Sequence, residues 1–217
     1  IQNLKVIFCI DRAGLVGADG PTHHGAYDIA YSRCIPNLII AAPRNEHELR
    51  NLLYTAQLDE VKLSFLIRYP RGRGSLINWK NNFERVEIGK GEILKDGERV
   101  AVLSIGTTSR LVETALTETK HNPTHADMRF VKPLDTTLID DLVKDHKVFI
   151  TVEDGAKKGG FGSAVAEYVA EHHPGIRVKI LGIPDEVIEH GTQEELFSVI
   201  GLDPATILTE IDKAFTP

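Results

Sequence analysis

The chain has 217 residues, of which 42% are hydrophobic and 26% are charged, a composition typical of soluble globular proteins. Its formal net charge of −6 disfavours a nucleic-acid groove or an anionic membrane surface as the binding site, because both need clustered lysine and arginine. No apolar run approaches the roughly 20 residues of a membrane-spanning helix. Cys9 and Cys34 each lie in an apolar stretch, which predicts two reduced, buried thiols and a cytoplasmic protein.

The first 71 residues predict three strands of a parallel sheet with two helices between them. The strand candidates are 4–10, 38–42 and 63–69, and the helical patterns cover about 26–34 and 46–58. The first candidate is apolar throughout, which predicts a strand buried on both faces. Strand, helix, strand, helix, strand is half of a doubly wound domain, so we expect the first half of this domain to be missing from the chain.

A second α/β domain is predicted over residues 85–217, after a linker of glycine, arginine, asparagine and lysine at 72–84. Its strand candidates are 86–94, 100–105, 124–128, 148–152 and 178–181, and its helical patterns are 108–119, 136–145, 162–172, 193–200 and a last helix after Asp203. Four polar residues are placed to cap helices at their N-termini: Asn45, Asp135, Thr192 and Asp203.

Two arginines directly follow strand candidates of the first domain. Arg12 follows the first strand and Arg71 follows the third. Ligands of open parallel sheets bind outside the carboxyl ends of the strands, so both side chains are expected to face one crevice. Guanidinium groups bind phosphate in a bidentate manner, and the pair could hold a phosphorylated substrate. The alternative is a surface salt bridge for each, such as Arg12 with Asp11.

The loop over residues 13–25 contains four glycines and no periodic apolar pattern, which is typical of a functional loop. It carries Asp19, His23 and His24. Histidine transfers protons near neutral pH, and a nearby carboxylate can orient its ring. The alternatives are a metal site, which adjacent histidines disfavour, and a turn that these side chains merely hold in place.

A second glycine-rich stretch covers residues 155–163, between a strand candidate and a helix. Backbone amides at such a position can bind phosphate. The stretch has neither the GxGxxG pattern nor a Gly-Lys pair followed by serine or threonine. A close strand-to-helix turn is therefore the preferred interpretation.

Five blocks of the sequence together resemble the C-terminal portion of the 1-deoxy-D-xylulose-5-phosphate synthase family. They are DRAGLVGADGPTHHGAYD, IPNLIIAAPRNEHEL, RYPRG, DMRFVKPLD and GIPDEVIEHGTQEEL. The resemblance implies an α/β fold with a truncated, doubly wound, transketolase-like pyrimidine-binding domain at 1–71. A transketolase C-terminal-type α/β domain follows at 85–217.

The resemblance also implies an activity for the full-length parent. A thiamine-diphosphate- and Mg²⁺-dependent transferase condenses pyruvate with D-glyceraldehyde 3-phosphate, with loss of CO₂, in the isoprenoid precursor and thiamine pathways. Arg12 and Arg71 match the family's arginines that hold the substrate phosphate, and Asp19 and His23 match residues near the reacting carbons. His24 stands where other members often have glutamine and is left out of the catalytic set. A homodimer is implied as well.

The departures from the family concern the cofactor. Its diphosphate and magnesium site lies in an N-terminal domain, and the glutamate that activates its pyrimidine ring also precedes Ile1 in the family pattern. We therefore expect cofactor-binding residues upstream of Ile1, no metal site in this chain, and no activity or bound cofactor for the fragment alone. The alternatives are another thiamine-diphosphate transferase, such as a transketolase or a dehydrogenase β subunit, and a standalone association or regulatory module.

Overall fold

The computed structural model describes residues 4–74 and 80–216, and this part of the chain forms two sheets surrounded by helices. The strands are β1 (Ile7–Ile10), β2 (Leu38–Ala41), β3 (Ser64–Arg68), β4 (Glu92–Lys95), β5 (Arg99–Ser104), β6 (Thr124–Asp127), β7 (Phe130–Lys132), β8 (His146–Ala156) and β9 (Arg177–Ile183). The helices are α1 (Asp28–Ser32), α2 (Glu46–Gln57), α3 (Ser109–Glu118), α4 (Thr136–Leu142), α5 (Phe161–His172), α6 (Gln193–Val199) and α7 (Pro204–Phe215).

The first sheet has the strand order β1-β3-β2-β7. Strands β1, β2 and β3 are parallel, as predicted, and their carboxyl ends therefore lie at one edge. The fourth strand, β7, comes from the second half of the chain and pairs antiparallel with β2. It has only three residues and follows Arg129, whose φ of 56° interrupts the extended backbone after β6. A strand this short leaves no periodic pattern, which is why the sequence did not predict it.

The second sheet has the order β4-β6-β5-β8-β9, in which β4 is the only antiparallel member. This confirms the second α/β unit. One hydrophobic cluster joins the two sheets, since buried Ile40 and Leu66 from the first pack in the same core as Leu103 and Phe149 from the second. The two halves of the described chain are thus connected by shared apolar packing as well as by β7.

All four predicted N-caps are present. The side chains of Asn45, Asp135, Thr192 and Asp203 each accept a hydrogen bond from the third backbone N–H of the following helix. Thr192 and Glu195 form a complete capping box. These interactions are local in sequence, so a short window was sufficient to predict them.

The predicted strand at 86–94 is wrong for most of its length, because β4 begins only at Glu92. Two backbone N–H groups before it donate to side chains instead of a neighbouring strand, Val86 to Thr55 Oγ1 (2.8 Å) and Gly91 to Asp135 Oδ2 (3.0 Å). Gly89 has a φ of 77°, which breaks the extended conformation between them. Of the predicted linker at 72–84, residues 75–79 lie outside the described residues, and the rest forms no helix or strand.

Two predictions about burial are also wrong. Strand β1 is not covered on both faces, since Phe8 is 45% exposed. The reason is that β1 lies at the edge of its sheet and pairs with β3 alone among the described strands. Cys9, on this strand, is exposed, and so is Cys34, which lies in the turn after α1 and donates to Tyr31 O. In the described residues, no helix combines the length and apolarity needed to cross a membrane.

Candidate functional site

The carboxyl ends of strands from both sheets meet around an open cavity of about 740 Å³. Arg44 enters its wall after β2, Arg71 after β3 and Thr108 after β5. The parallel strands of the first sheet also place Arg12, after β1, at this edge. The crevice therefore lies where the strand-end rule predicts it, the rule that ligands of open parallel sheets bind outside the carboxyl ends of the strands.

The loop over residues 13–25 is closed at its base and joined to β3. Gly14 N and Gly25 N each bond the other residue's carbonyl, at 3.0 and 2.9 Å, and Ala13 N donates to Tyr69 O at 3.0 Å. His24 Nδ1 accepts from Val16 N at 3.1 Å. His24 thus holds the loop's own backbone in place.

The second half of the chain holds this loop from the other side. Leu15 is fully buried and packs in a small cluster with Ile183, Ile188 and Leu196. Its carbonyl accepts a 2.8 Å hydrogen bond from Gln193 Nε2. The position of the loop's polar side chains therefore depends on packing between the two halves.

The structure joins two of the four predicted site residues directly. Arg71 Nη1 lies 2.7 Å from Asp19 Oδ2 in a half-exposed ion pair, although 52 residues of sequence separate them. Arg12, with a φ of 59°, pairs with its neighbour Asp11 at 3.4 Å, the contact that its salt-bridge alternative anticipates.

His23 Nδ1 contacts Thr22 Oγ1 at 2.9 Å. Among the described residues, neither Arg12 nor His23 forms a hydrogen bond or ion pair with Asp19 or Arg71. The structure therefore brings Asp19 and Arg71 together, with Arg12 just before the loop and His23 within it.

A buried ion triad beneath the loop was missed from the sequence. Arg68, at the end of β3, is 1% exposed and donates from Nε to Asp28 Oδ2 (2.6 Å) and from Nη1 to Asp154 Oδ1 (2.5 Å). Its Nη2 reaches Gly25 O at 3.3 Å. Burial alone would lower the pKa of Arg68, but the charges of Asp154 and Asp28 raise it above its ordinary value, so the arginine stays charged.

The sequence did contain one signal for this triad. Arg68 is a charged residue inside an apolar strand pattern, and such a residue needs buried partners. The partners lie 40 and 86 residues away in sequence, so only the fold identifies them. The triad connects the base of the loop, through Gly25 O and Asp28, to strand β8.

The glycine-rich stretch at 155–163 is a close strand-to-helix turn, as preferred. The first backbone N–H groups of α5 already have a partner within the protein. Buried Glu153 accepts from Phe161 N and Gly162 N at 2.8 Å each. A Cβ on Gly160 would lie 2.3 Å from Glu153 Oε2, so this approach requires glycine. Burial raises the pKa of Glu153 to about 7, although the two amides and Arg68 oppose the shift.

Arg44 is the cavity residue that the strand-end rule should have included, since it follows β2 as Arg12 follows β1. Its Nη2 lies 3.0 Å from Glu92 Oε2 and its Nε 3.7 Å from Asp127 Oδ2. Burial, followed by the charge of Glu48, raises the pKa of Asp127 well above its ordinary value, against the opposing charge of Arg129. This cluster joins α2 to β4 and β6 behind the cavity wall.

The residues described do not fit the magnesium that the resemblance implies. Across residues 4–74 and 80–216, no group of three or more histidine, cysteine, aspartate or glutamate side chains is arranged to hold a metal ion. Mg²⁺ needs a nearly octahedral set of oxygen ligands, usually including one or two carboxylates. No chemical step is therefore assigned to a metal or to a thiamine cofactor within this chain.

Comparison with protein families gives two adjoining matches. Residues 1–75 match the transketolase pyrimidine binding domain, and residues 89–207 match the transketolase C-terminal domain. The predicted order of fold types is thereby confirmed.

Curated relatives agree with the predicted resemblance. The chain is 56% identical over 210 residues to 1-deoxy-D-xylulose-5-phosphate synthase of Cytophaga hutchinsonii, covering 95% of this chain and 33% of that protein. It is 51% identical over 207 residues to the synthase of Phocaeicola vulgatus, covering 94% and 33%. The chain spans about a third of the length of these relatives.

Two solved structures share the fold. A split gene transketolase, described as an inactive β4 tetramer, superposes with a TM-score of 0.82 at 25% identity, covering 98% of this chain and 67% of that one. A transketolase from Campylobacter jejuni gives 0.68 at 16% identity, covering 95% and 31%, a likeness of fold alone. The chain therefore belongs to the transketolase family, within which its sequence is similar to the 1-deoxy-D-xylulose-5-phosphate synthases.

Proposed function

We propose that the chain is part of a 1-deoxy-D-xylulose-5-phosphate synthase. The whole enzyme would condense pyruvate with D-glyceraldehyde 3-phosphate, with loss of CO₂, in the isoprenoid precursor and thiamine pathways. The observation that carries this proposal is the 56% identity over 95% of the chain to a protein of that name. Thiamine diphosphate supplies the carbanion chemistry in such an enzyme when it is bound.

The proposed roles follow from position at the crevice. Arg12 and Arg71 bind the phosphate of the acceptor substrate. Asp19 holds one nitrogen of Arg71, which orients the guanidinium while leaving its other donors for phosphate oxygens. His23 and Asp19 bind hydroxyl or carboxylate groups near the reacting carbons and assist proton transfer. If the Thr22 hydroxyl donates to His23 Nδ1, the ring proton lies on Nε2, and His23 is a donor toward substrate.

We propose that the cofactor site lies in the part of the whole protein that this chain does not cover, about two-thirds of the length of its relatives. The whole enzyme is proposed to be a cytoplasmic homodimer that needs thiamine diphosphate and Mg²⁺. Within the chain we propose a pyrimidine-binding part at 1–71, a linker at 72–84 and a C-terminal domain at 85–217. The matched ranges of 1–75 and 89–207 support this division.

The chain alone is expected to produce no 1-deoxy-D-xylulose 5-phosphate from pyruvate and glyceraldehyde 3-phosphate. The inactive β4 tetramer of a split transketolase, which is similar over 98% of this chain, supports that expectation. Product would be measured by mass spectrometry for the chain and for the whole protein, and calorimetry would compare their affinities for thiamine diphosphate with magnesium. Turnover or equally tight cofactor binding by the chain alone would contradict the assignment of the cofactor site.

The phosphate-binding role predicts a selective loss in the whole enzyme. Replacing Arg12 or Arg71 with alanine removes charge-assisted hydrogen bonds worth roughly 1.5 to 3 kcal/mol. We expect kcat/KM for glyceraldehyde 3-phosphate to fall about tenfold to hundredfold. Arg71→Lys should recover part of this loss, because it keeps the charge without the planar fork.

Two controls separate phosphate binding from a structural salt bridge. An acceptor without phosphate should react equally well with Arg12→Ala and with the parent enzyme. Arg71→Ala also releases Asp19, so its phosphate-binding role is measured by the additional loss on the phosphorylated acceptor. Pyruvate decarboxylation in a single turnover should also be unchanged, because the phosphate belongs to the second substrate. Equal losses on phosphorylated and unphosphorylated acceptors would show that the arginines act through the structure alone.

A further inference from the structure

The cavity between the two halves of the chain has a wall with more positive than negative side chains. Four arginines contribute to it: Arg44, Arg71, Arg73 and Arg110. Three glutamates do as well: Glu46, Glu113 and Glu194. Arg73 comes from the segment after β3, whereas Arg110 comes from the first turn of α3 in the second half. Two arginines from opposite sides therefore face the same space.

These arginines differ in how far the protein already uses them. Arg44 pairs with Glu92 and Arg71 with Asp19. In contrast, Arg73 and Arg110 form no ion pair with another described residue, and both are exposed to the cavity. Glu113 lies three residues after Arg110 on α3, yet the structure shows no ion pair between them. The guanidinium groups of Arg73 and Arg110 can thus bind a guest without breaking a described salt bridge.

The backbone next to Arg110 also favours a negatively charged guest. Helix α3 has no acidic residue in its first turn and no side-chain cap. The Thr108 hydroxyl accepts from none of the α3 amides, and its single hydrogen is shared between Ile105 O at 2.8 Å and Val152 O at 3.0 Å. The N–H groups at this end of the helix add positive potential beside the arginines.

The rest of the wall determines the size and polarity of the guest. Leu49, Tyr69, Leu111 and Phe197 line the cavity together with the charged residues. A volume of about 740 Å³ lies in the range of sites for small organic molecules and is far larger than a phosphate ion needs. An apolar wall beside free guanidinium groups is suited to an organic body with an anionic substituent.

We propose that this cavity is a second binding site, which takes a phosphorylated small molecule through Arg73 and Arg110. Guanidinium groups match phosphate oxygens in a bidentate manner, and Leu111 and Phe197 contact the organic part. Arg12 and His23 are not among the described residues that line the cavity, whereas Arg71 lines it, so this second site adjoins the proposed acceptor site at Arg71. The inference does not depend on the proposed synthase activity. Because the guest bridges the two halves, it stabilises their association.

The test uses phenyl phosphate and inorganic phosphate as probes for the chain, with titration calorimetry and thermal unfolding as readouts. We expect phenyl phosphate to bind more tightly than inorganic phosphate and to raise the Tm. Arg73→Ala and Arg110→Ala should each weaken binding about tenfold to hundredfold, as loss of a charge-assisted contact predicts. The matched control is Arg177→Ala, an exposed arginine at the start of β9 outside the cavity, which should bind as the parent does.

Several outcomes would overturn the proposal. They are no binding of phenyl phosphate at millimolar concentration, equal weakening by Arg177→Ala, and unchanged affinity in both cavity variants. If Arg110→Ala lowers the Tm in the absence of ligand, the binding test uses Arg110→Gln in its place, because glutamine keeps most of the side-chain length.

In the whole enzyme, Arg110→Ala should leave KM for the phosphorylated acceptor unchanged. A rise in KM equal to that of Arg71→Ala would show a single site instead of two. Failure of the calorimetric test leaves the synthase proposal intact, and loss of the synthase proposal leaves the calorimetric result unaffected.

Discussion

Arg68→Met is expected to lower the free energy of unfolding of this chain by about 3–5 kcal/mol, the usual cost of removing one partner of a buried ion pair. Asp28 and Asp154 are both buried, and each loses its charge-assisted hydrogen bond when Arg68 is removed. Their carboxylates would then be close together without a counter-charge. Urea unfolding followed by circular dichroism measures the loss, with Arg177→Met as the control for removing an exposed arginine.

The triple variant Arg68→Met, Asp28→Asn, Asp154→Asn distinguishes an uncompensated charge from lost packing. Removing all three charges together should recover much of the stability, because a buried ion cluster contributes little beyond a neutral replacement of similar volume. If the triple variant is as unstable as Arg68→Met, packing of the arginine side chain is the main contribution. If Arg68→Met loses no more than Arg177→Met, the triad has no role in stability.

A second large effect is expected from pH at Glu153. Burial raises the pKa of Glu153 from 4.5 to about 7 in the folded protein. Between these values the folded state binds more protons than the unfolded state, so this group makes stability fall as pH rises. The difference between the two pKa values corresponds to roughly 3 kcal/mol in the free energy of unfolding. This contribution is lost as the pH rises to about 7 and above.

Glu153→Gln should therefore flatten the pH dependence of the free energy of unfolding between about pH 5 and pH 8. Asp127 and His125 also titrate from buried positions, but both remain in the variant and cancel when the two curves are subtracted. Glu171→Gln, an exposed substitution on α5, the helix whose first N–H groups donate to Glu153, is the matched control. A variant curve with the same slope as the parent would mean that Glu153 stays ionised throughout this range.

The sequence predicted those features of the fold that depend on short windows. The four helix caps each involve residues three positions apart, and the parallel strands β1 and β2 are continuous apolar runs. The pattern could not show that β1 lies at a sheet edge, so its exposure and that of Cys9 were predicted wrongly. An apolar run indicates a strand, but its burial depends on which neighbours cover it.

The candidate site was predicted only in part, for a similar reason. The strand-end rule led to Arg12 and Arg71, and it would have led to Arg44 if it had been applied to β2. The Asp19–Arg71 ion pair joins two loops that are adjacent only in the folded protein. The buried partners of Arg68 come from α1 and β8, and no local pattern relates them to β3.

The pairing of β7 with β2 has a consequence for how the chain can be divided. A fragment that ends in the connecting segment would leave β2 as an open strand edge, and it would expose Ile40 and Leu66, which now lie in the common core. The complementary fragment would carry an unpaired β7. If the chain were cleaved within residues 72–84, the two fragments would therefore stay associated without a covalent link, as the halves of a reconstituted split protein do.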